Sequence, residues 1–140
     1  MAHASTTAQV SGTVDSVWQT FVDFGRYPEW VAFHKQWLEE PPSGAEVGAT
    51  LKQSVAILGA PTAVNWEIVT ADCGELLELA GRTTTGVDAR LALRAVSDGG
   101  RVGVTLDLTL TGGPVIGPIG TMIQKAAQKL VDTSAQRFPS

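Results

Sequence analysis

Residues 101–140 read RVGVTLDLTLTGGPVIGPIGTMIQKAAQKLVDTSAQRFPS and join the two most regular patterns in the chain. Across residues 101–111, apolar side chains from Val102 to Leu110 take every second position, which predicts a β-strand with one buried face. After Gly117 the apolar residues recur at helical spacing instead. A helix of about 20 residues is about 30 Å long, enough to cross a whole sheet. This segment therefore predicts a strand followed by a long helix packed across the sheet.

The predicted terminal helix is amphipathic. The triplet Gly112-Gly113-Pro114 ends the strand, and Gly117-Pro118 begins the helix because proline suits a first helical turn. One face carries an apolar stripe of Ile119, Ile123, Ala127, Leu130, Val131 and Phe138. The other face is polar and is predicted to point away from the sheet; it consists of Gln124, Lys125, Gln128, Lys129 and Asp132.

Upstream of this segment, alternation and turn signals divide the chain into further strands and two helical pieces. Thr13 is a candidate N-cap for a helix over residues 14–24, and a turn or short second helix is expected at Tyr27-Pro28-Glu29-Trp30. The remaining predicted strands are residues 5–12, 32–40, 50–58, 62–71, 75–84 and 87–97. The order β-α-α-β-β-β-β-β-β-α predicts a single α+β domain over residues 1–140, with one antiparallel sheet.

Composition restricts the classes of function. The chain has 140 residues, 44% hydrophobic and only 17% charged, so much apolar surface is expected to be hidden in a core or around a cavity. Its net charge of −4 and scattered cations argue against nucleic acid as a partner. The lone Cys73 forms no internal disulfide, and no residue spacing indicates a metal or cofactor. We expect neither a secretion signal nor a membrane span, and hence a cytoplasmic protein.

The stretch TVDSVWQTFVDFGRYPEW, residues 13–30, resembles the opening signature of the START and polyketide-cyclase superfamily, whose fold is called the helix-grip fold. The resemblance implies a curved sheet of about seven strands around a long C-terminal helix, with two short helices after the first strand. It also implies a cavity between sheet and helix for a hydrophobic ligand. Small bacterial members share stretches like Phe33-His34-Lys35 and residues 112–120, and one of them is described as the toxin half of a toxin–antitoxin pair.

Alternation along the strands, combined with the implied cavity, yields a set of candidate ligand-binding residues. They are His34, Gln53, Val55, Trp66, Ile68, Thr70, Leu79, Leu93, Leu106, Met122 and Ile123. Most are apolar, so the wall favours a lipid-like or polyketide-like guest. Trp66 is a candidate flat wall for a ring system, and Met122 with Ile123 a candidate floor. The alternative is an ordinary, fully packed core.

His34 is the one candidate for proton transfer, because imidazole titrates near neutrality. The pattern of residues 33–38 leaves open which face of its strand His34 occupies. Cyclases of the resembled superfamily are understood to use an inward arginine and a tyrosine, whose places here hold Asp72 and His34. Without that arginine a developing enolate loses its cationic partner, so a binding role is favoured over catalysis.

Three functions follow for testing. The first is the binding of a hydrophobic or amphipathic small molecule beneath the terminal helix. The second is a cyclase, dehydratase or hydrolase activity using His34, which requires His34 to converge with Asp72 or an arginine. The third is a toxin-type or protein-interaction module, which requires an exposed patch around Phe33, Trp37 or the loop at residues 114–120.

Overall fold

A computed structural model describes residues 1–72, 74–113 and 115–139 of the chain. The predictions made for Cys73 and Pro114 lie outside these residues. The strands are β1 (Ala2–Ser11), β2 (His34–Trp37), β3 (Thr50–Ala56), β4 (Pro61–Asp72), β5 (Leu76–Thr83), β6 (Asp88–Asp98) and β7 (Arg101–Thr111). The helices are α1 (Val14–Val22), α2 (Tyr27–Trp30) and α3 (Gly117–Arg137), with a 3₁₀ turn at Phe24–Arg26 before α2.

The seven strands form one antiparallel sheet in the order β1-β7-β6-β5-β4-β3-β2. Helix α3 packs against β1 and β7 and also contacts α2. Buried apolar residues alternate along β6 and β7 with exposed or half-buried ones. The predicted α+β architecture, a curved sheet with a long terminal helix and two short helical pieces after the first strand, is confirmed.

Helix α1 begins with a reciprocal cap at Thr13. The Thr13 hydroxyl accepts a hydrogen bond from the Ser16 backbone N–H at 3.1 Å, and the Ser16 hydroxyl accepts one from the Thr13 N–H at 3.0 Å. Such a cap satisfies two backbone donors that the helix leaves free, worth about 1 kcal/mol. The helix ends at Val22, before the predicted Phe24, because the backbone of Asp23 leaves the helical region.

An aromatic cluster fastens α2 to the rest of the fold. The Tyr27 hydroxyl is buried and donates to the carbonyl oxygen of Phe21 at 2.7 Å, and burial raises the pKa of this phenol. Trp30 is also buried, and its ring contacts that of Phe138 with centroids 4.9 Å apart. Trp30 therefore anchors α2 to the residue that follows α3.

The polar face of α3 does not simply face away from the sheet. Gln128 donates from its amide to the backbone oxygen of Ser5 at 3.0 Å, and Gln124 accepts from the backbone N–H of His3 at 2.6 Å. These glutamines form hydrogen bonds with backbone groups of β1, which is an edge strand of the sheet. Unpaired edge groups invite association with other strands, so α3 protects this edge. The prediction that both glutamines point away from the sheet is wrong.

A β-bulge in β4 reverses the facing of one predicted site residue. Ile68 pairs with Leu79, but after the bulge Thr70 pairs with Glu78 and Ala71 with Leu77. The Thr70 hydroxyl donates to the Glu78 carboxylate at 3.1 Å. Because a one-residue shift moves side chains to the opposite face, Thr70 leaves the inner face of the sheet. The prediction that Thr70 lines the interior is wrong.

Candidate binding site

A cavity of about 200 Å³ lies at one end of the sheet, between β3, β4, the β5–β6 turn, the end of β7 and the start of α3. Its lining is mainly aliphatic and aromatic, with three threonines and no charged residue. The lining residues are Phe33, Val55, Ile57, Leu58, Ala60, Thr62, Val64, Trp66, Thr83, Thr85, Val87, Ala89, Leu108, Leu110, Val115 and Ile123. Exposed Leu58 and Thr85 mark where the cavity meets the surface.

Two small residues shape the interior at this end. Gly81 of β5 and Ala89 of β6 pair directly across the sheet. The next cross-strand pair on the same face is Leu79 with Leu91, and both of these side chains are large and buried. The ring of Trp66 covers Gly81, which would place a β-carbon only 2.7 Å from Trp66 Cε3. Gly81 therefore makes room for the Trp66 indole, and the cavity lies beside that ring, where Ala89 leaves space.

The structure brings three of the predicted site residues to this cavity: Val55, Trp66 and Ile123. Four others face inward but lie in the packed core away from the cavity; they are Ile68, Leu79, Leu93 and Leu106. Alternation gives the inner face correctly but does not show where along that face packing is incomplete. The ligand-contacting role of these residues stays a prediction.

Met122 does not form a cavity floor. Its side chain is 58% exposed, while the neighbouring Ile123 is half-buried and borders the cavity. Successive residues of a helix point about 100° apart, so only one of this pair faces the sheet. The prediction for Met122 is wrong, and the apolar floor of the cavity is supplied by Ile123 with Val115.

His34, Gln53 and Trp66 form a buried chain of hydrogen bonds behind the cavity wall. The indole Nε1 of Trp66 donates to Gln53 Oε1 at 2.8 Å, and Gln53 Nε2 lies 2.7 Å from His34 Nδ1. His34 and Gln53 are both buried. A register shift in β2 lets His34 pair with Val55 and Trp37 with Gln53, so both rings share the inner side. Neither His34 nor Gln53 borders the cavity, but the ring that they hold does.

Hydrogen-bond chemistry determines the direction of this chain. An indole nitrogen is only a donor, so the Gln53 oxygen must accept from Trp66. The Gln53 amide nitrogen then points to His34 and donates, which makes His34 Nδ1 an acceptor. His34 is consequently neutral with its proton on Nε2, and that nitrogen is buried without a hydrogen-bond partner among the described residues. Burial lowers the pKa of His34, in agreement with a neutral ring.

The contacts of His34 do not form an acid–base pair. Its hydrogen-bond partner is the Gln53 amide, and its ring stacks obliquely near Trp37 with centroids 5.0 Å apart. Asp72 is exposed at the end of β4. Arg82 and Arg90 form ion pairs with Asp88 and Glu78 on half-exposed or exposed side chains. The convergence of His34 with Asp72 or an arginine, which the enzymatic hypothesis requires, is therefore not found among the described residues.

Acidification is expected to destabilise the protein through His34. The imidazole of an unfolded chain has a pKa of about 6.5, and burial lowers it in the folded state. Below pH 6.5 His34 therefore becomes protonated in the unfolded chain while it stays neutral in the folded chain. The stabilising contribution is complete above that pH and declines as pH falls toward the lowered folded pKa. Between about pH 7.5 and pH 5.5, Tm should fall more for the wild type than for His34→Gln.

A matched control for the pH experiment is His3→Gln, since the half-exposed His3 contacts Asp107 on the outer surface. Because this variant leaves the buried His34 ring in place, its Tm should also fall more steeply than that of His34→Gln. Equal slopes of Tm against pH for the wild type and His34→Gln would contradict the neutral assignment of the buried ring.

Several cavity residues were not found from the sequence. Thr83 and Thr85 flank the entrance, and their hydroxyl oxygens lie 2.9 Å apart. The sequence pattern places Thr83 in the predicted strand 75–84 and Thr85 in the turn that follows it, and turn threonines usually have local backbone roles. Thr83 Oγ1 does accept from the Val87 N–H at 3.0 Å. Ala60 and Ala89 were missed because small residues give no chemical signal for an unfilled volume.

The surface patch expected around Phe33 and Trp37 is absent. Phe33 is buried, and Trp37 is half-buried with its indole N–H donating to the Phe24 carbonyl oxygen at 2.8 Å. The start of α3 does expose apolar side chains: the N-cap residue Ile116 is 70% exposed and Ile119, in the first turn, is 52% exposed. In the described ranges no helix has both the length and the apolar character that a bilayer span needs, and no cluster of metal-ligating side chains occurs.

Sequence comparison gives one family and several relatives. The model of a family described as polyketide cyclase/dehydrase and lipid transport matches residues 1–140. A Mycobacterium tuberculosis protein named Toxin Rv0910 is 31% identical over 138 residues, covering 94% of this chain and 95% of the relative. A protein of the same organism named Uncharacterized protein Rv1546 is 23% identical, covering 99% and 96%.

Solved structures share the fold. A START superfamily protein from Mycobacterium smegmatis superposes with a TM-score of 0.72 at 19% identity, covering 98% of this chain and 94% of the other. A conserved protein from Geobacillus kaustophilus gives a TM-score of 0.73 at 15% identity, covering 97% and 91%. At these identities the likeness establishes the helix-grip architecture.

Proposed function

The chain belongs to the polyketide cyclase/dehydrase and lipid transport family, and we propose that it binds a small hydrophobic molecule in the cavity beside Trp66. The observation that carries this proposal is the uncharged, largely aliphatic lining of an unfilled space at the start of α3. An empty apolar cavity of about 150 Å³ stays dry and binds benzene or xenon. The cavity here, at about 200 Å³, accommodates a substituted ring or a short acyl chain.

Burial of apolar surface supplies the driving force. Each buried methylene contributes about 0.8 kcal/mol, and the loss of translational freedom opposes binding. A chain of the length of octanol is therefore expected to bind with a Kd on the order of 0.1 mM. Trp66 contributes a flat wall whose orientation is held by Gln53, so the guest meets a preformed surface.

Calorimetric titration of the protein with octanol tests this function. We expect saturable binding with a negative heat-capacity change, the mark of apolar burial. Methyl NMR on the same sample locates the site: resonances of Val55, Val115 and Ile123 should shift, whereas those of Val102 and Leu93 in the packed core should not. Absence of saturable binding, or shifts spread over the whole core, would refute the proposal.

The relative named Toxin Rv0910 favours a second candidate, a toxin-type role with a protein partner. The exposed side chains of Ile116 and Ile119 at the start of α3 offer apolar surface for such a partner. Induced expression in a bacterial host distinguishes the two functions. Growth arrest that persists when the cavity is filled by substitution, and that a neighbouring gene relieves, would favour the second candidate over ligand binding.

A further inference from the structure

We propose that the cavity selects an uncharged ligand, an alcohol or carbonyl compound whose polar end meets the Thr83–Thr85 hydroxyl pair. This inference rests on the proposed binding function and specifies its ligand class. It disfavours fatty-acid anions and amines, which share the same hydrocarbon chain but carry a charge.

Sequence and fold together place an uncharged zone around this end of the molecule. Three segments that form it contain no Asp, Glu, Lys, Arg or His: residues 53–66, 83–87 and 108–124. All but one of the cavity-lining residues come from these segments or from Ala89, the exception being Phe33. None of the chain's 24 charged side chains, the sum of 10 cations and 14 anions, belongs to these segments. The N-terminal ammonium of Met1 donates to the backbone oxygen of Val115 at 3.2 Å, at the α3 end of the cavity and away from the threonine turn.

The two charged residues that flank the threonine turn are paired with each other. Arg82 and Asp88 flank the turn that carries the threonines, and the Arg82 Nε lies 2.9 Å from Asp88 Oδ1. Both side chains are exposed and directed to one another rather than to the cavity. A carboxylate beside the threonines would find the flanking Arg82 guanidinium already paired and would meet the Asp88 anion. An ammonium group would find the Asp88 carboxylate already paired with Arg82.

The threonine pair can donate a hydrogen bond to the polar end of a neutral ligand and accept one from it. Thr83 Oγ1 accepts from the Val87 N–H, and one hydroxyl hydrogen joins Thr83 to Thr85. Two hydroxyls carry two hydrogens, so one hydrogen remains to donate to a ligand whichever way the shared bond runs. The oxygen lone pairs of Thr85 remain to accept. A ligand hydroxyl can use both, and a carbonyl can use the donor.

The cost of removing the ligand's polar end from water distinguishes neutral ligands from charged ones. Moving a neutral hydroxyl into a site with hydrogen-bond partners costs little, whereas a charge without a counter-ion is costly to remove from water. Because Thr85 is exposed, an anion at the entrance keeps part of its hydration, so we expect about a tenfold preference rather than complete exclusion.

The experiment compares octanol, octanoate and octylamine by calorimetry at neutral pH. Octanol should bind at least about tenfold more tightly than either charged compound. A Thr85→Lys variant places a cation at the entrance and should bring octanoate within about threefold of octanol. Thr84→Lys, on the adjacent exposed residue that does not line the cavity, adds the same charge and should keep the wild-type preference.

Three results would contradict three different parts of the proposal. Equal affinity of the wild type for octanol and octanoate would overturn the inference of neutral selectivity and leave the binding function intact. Octanol selectivity that Thr85→Lys fails to reduce would overturn the assignment of the threonine pair as the polar end. Failure of all three compounds to bind would reject the binding function and this inference with it. Circular dichroism confirms that the variants are folded.

Discussion

Replacing Gly81 with alanine is expected to lower the free energy of unfolding by about 2–4 kcal/mol. A β-carbon at this position would lie 2.7 Å from Trp66 Cε3 and 2.8 Å from the backbone oxygen of Asn65. The indole can yield only by breaking the Trp66 bond to Gln53, and the backbone oxygen belongs to the paired strand. Urea unfolding monitored by circular dichroism measures the loss.

Gly103→Ala is the matched control for this substitution. Gly103 also lies within a strand, but its added β-carbon would have its nearest contacts at 3.5 Å to Gln9 Nε2 and 3.7 Å to the Val96 oxygen. These are ordinary van der Waals distances, so we expect a change within about 1 kcal/mol. A loss at Gly81 no larger than that at Gly103 would show that Trp66 does not depend on the glycine beneath it.

The strand pattern was predictable because the sheet has one buried face. In β6 and β7 charged or polar residues such as Arg90, Arg94 and Asp107 alternate with Val and Leu, and a slip of one residue would bury these charges. The long terminal helix was predictable for a similar reason, since Ala127 and Val131 recur at helical spacing and are buried. Periodicity of this kind determines facing without knowledge of the partners.

The bulges were not predictable, because they depend on pairing between strands. Nothing in the sequence around Thr70 indicates the extra residue that turns its hydroxyl toward Glu78. The same limit applied to His34, whose face the alternation left open. The register shift in β2 places His34 and Trp37 on one side, which strict alternation does not allow. Facing beyond a bulge follows from the hydrogen-bond ladder and not from local composition.

The candidate site was predictable only in its chemical character. The apolar inner face indicated a hydrophobic guest or a packed core, and the structure has a filled core around Leu93 and Leu106 and a cavity beside Ala89. Which part remains open depends on Ala89 lying across the sheet from Gly81, whose own space the Trp66 ring occupies. That coincidence requires the register between β5 and β6, which the sequence does not specify.

Filling the cavity from Ala89 is expected to weaken octanol binding about 30-fold, which corresponds to about 2 kcal/mol of lost apolar contact. Ala89 is buried and borders the cavity, so the ring of an Ala89→Phe variant has unoccupied space to enter beside Trp66. The fold should therefore tolerate it, with a free energy of unfolding unchanged or increased. Calorimetry measures the affinity, and urea unfolding measures the stability.

Ala95→Phe separates cavity filling from a general effect of a larger side chain. Ala95 lies on the same strand, is buried to a similar degree and faces the same interior, but it does not border the cavity. A ring there meets packed neighbours and should cost about 1–3 kcal/mol or more of stability. If Ala89→Phe proves as destabilising as Ala95→Phe, then the space beside Trp66 is not available to any guest of that size. If Ala89→Phe is stable yet binds octanol like the wild type, the guest occupies another part of the molecule.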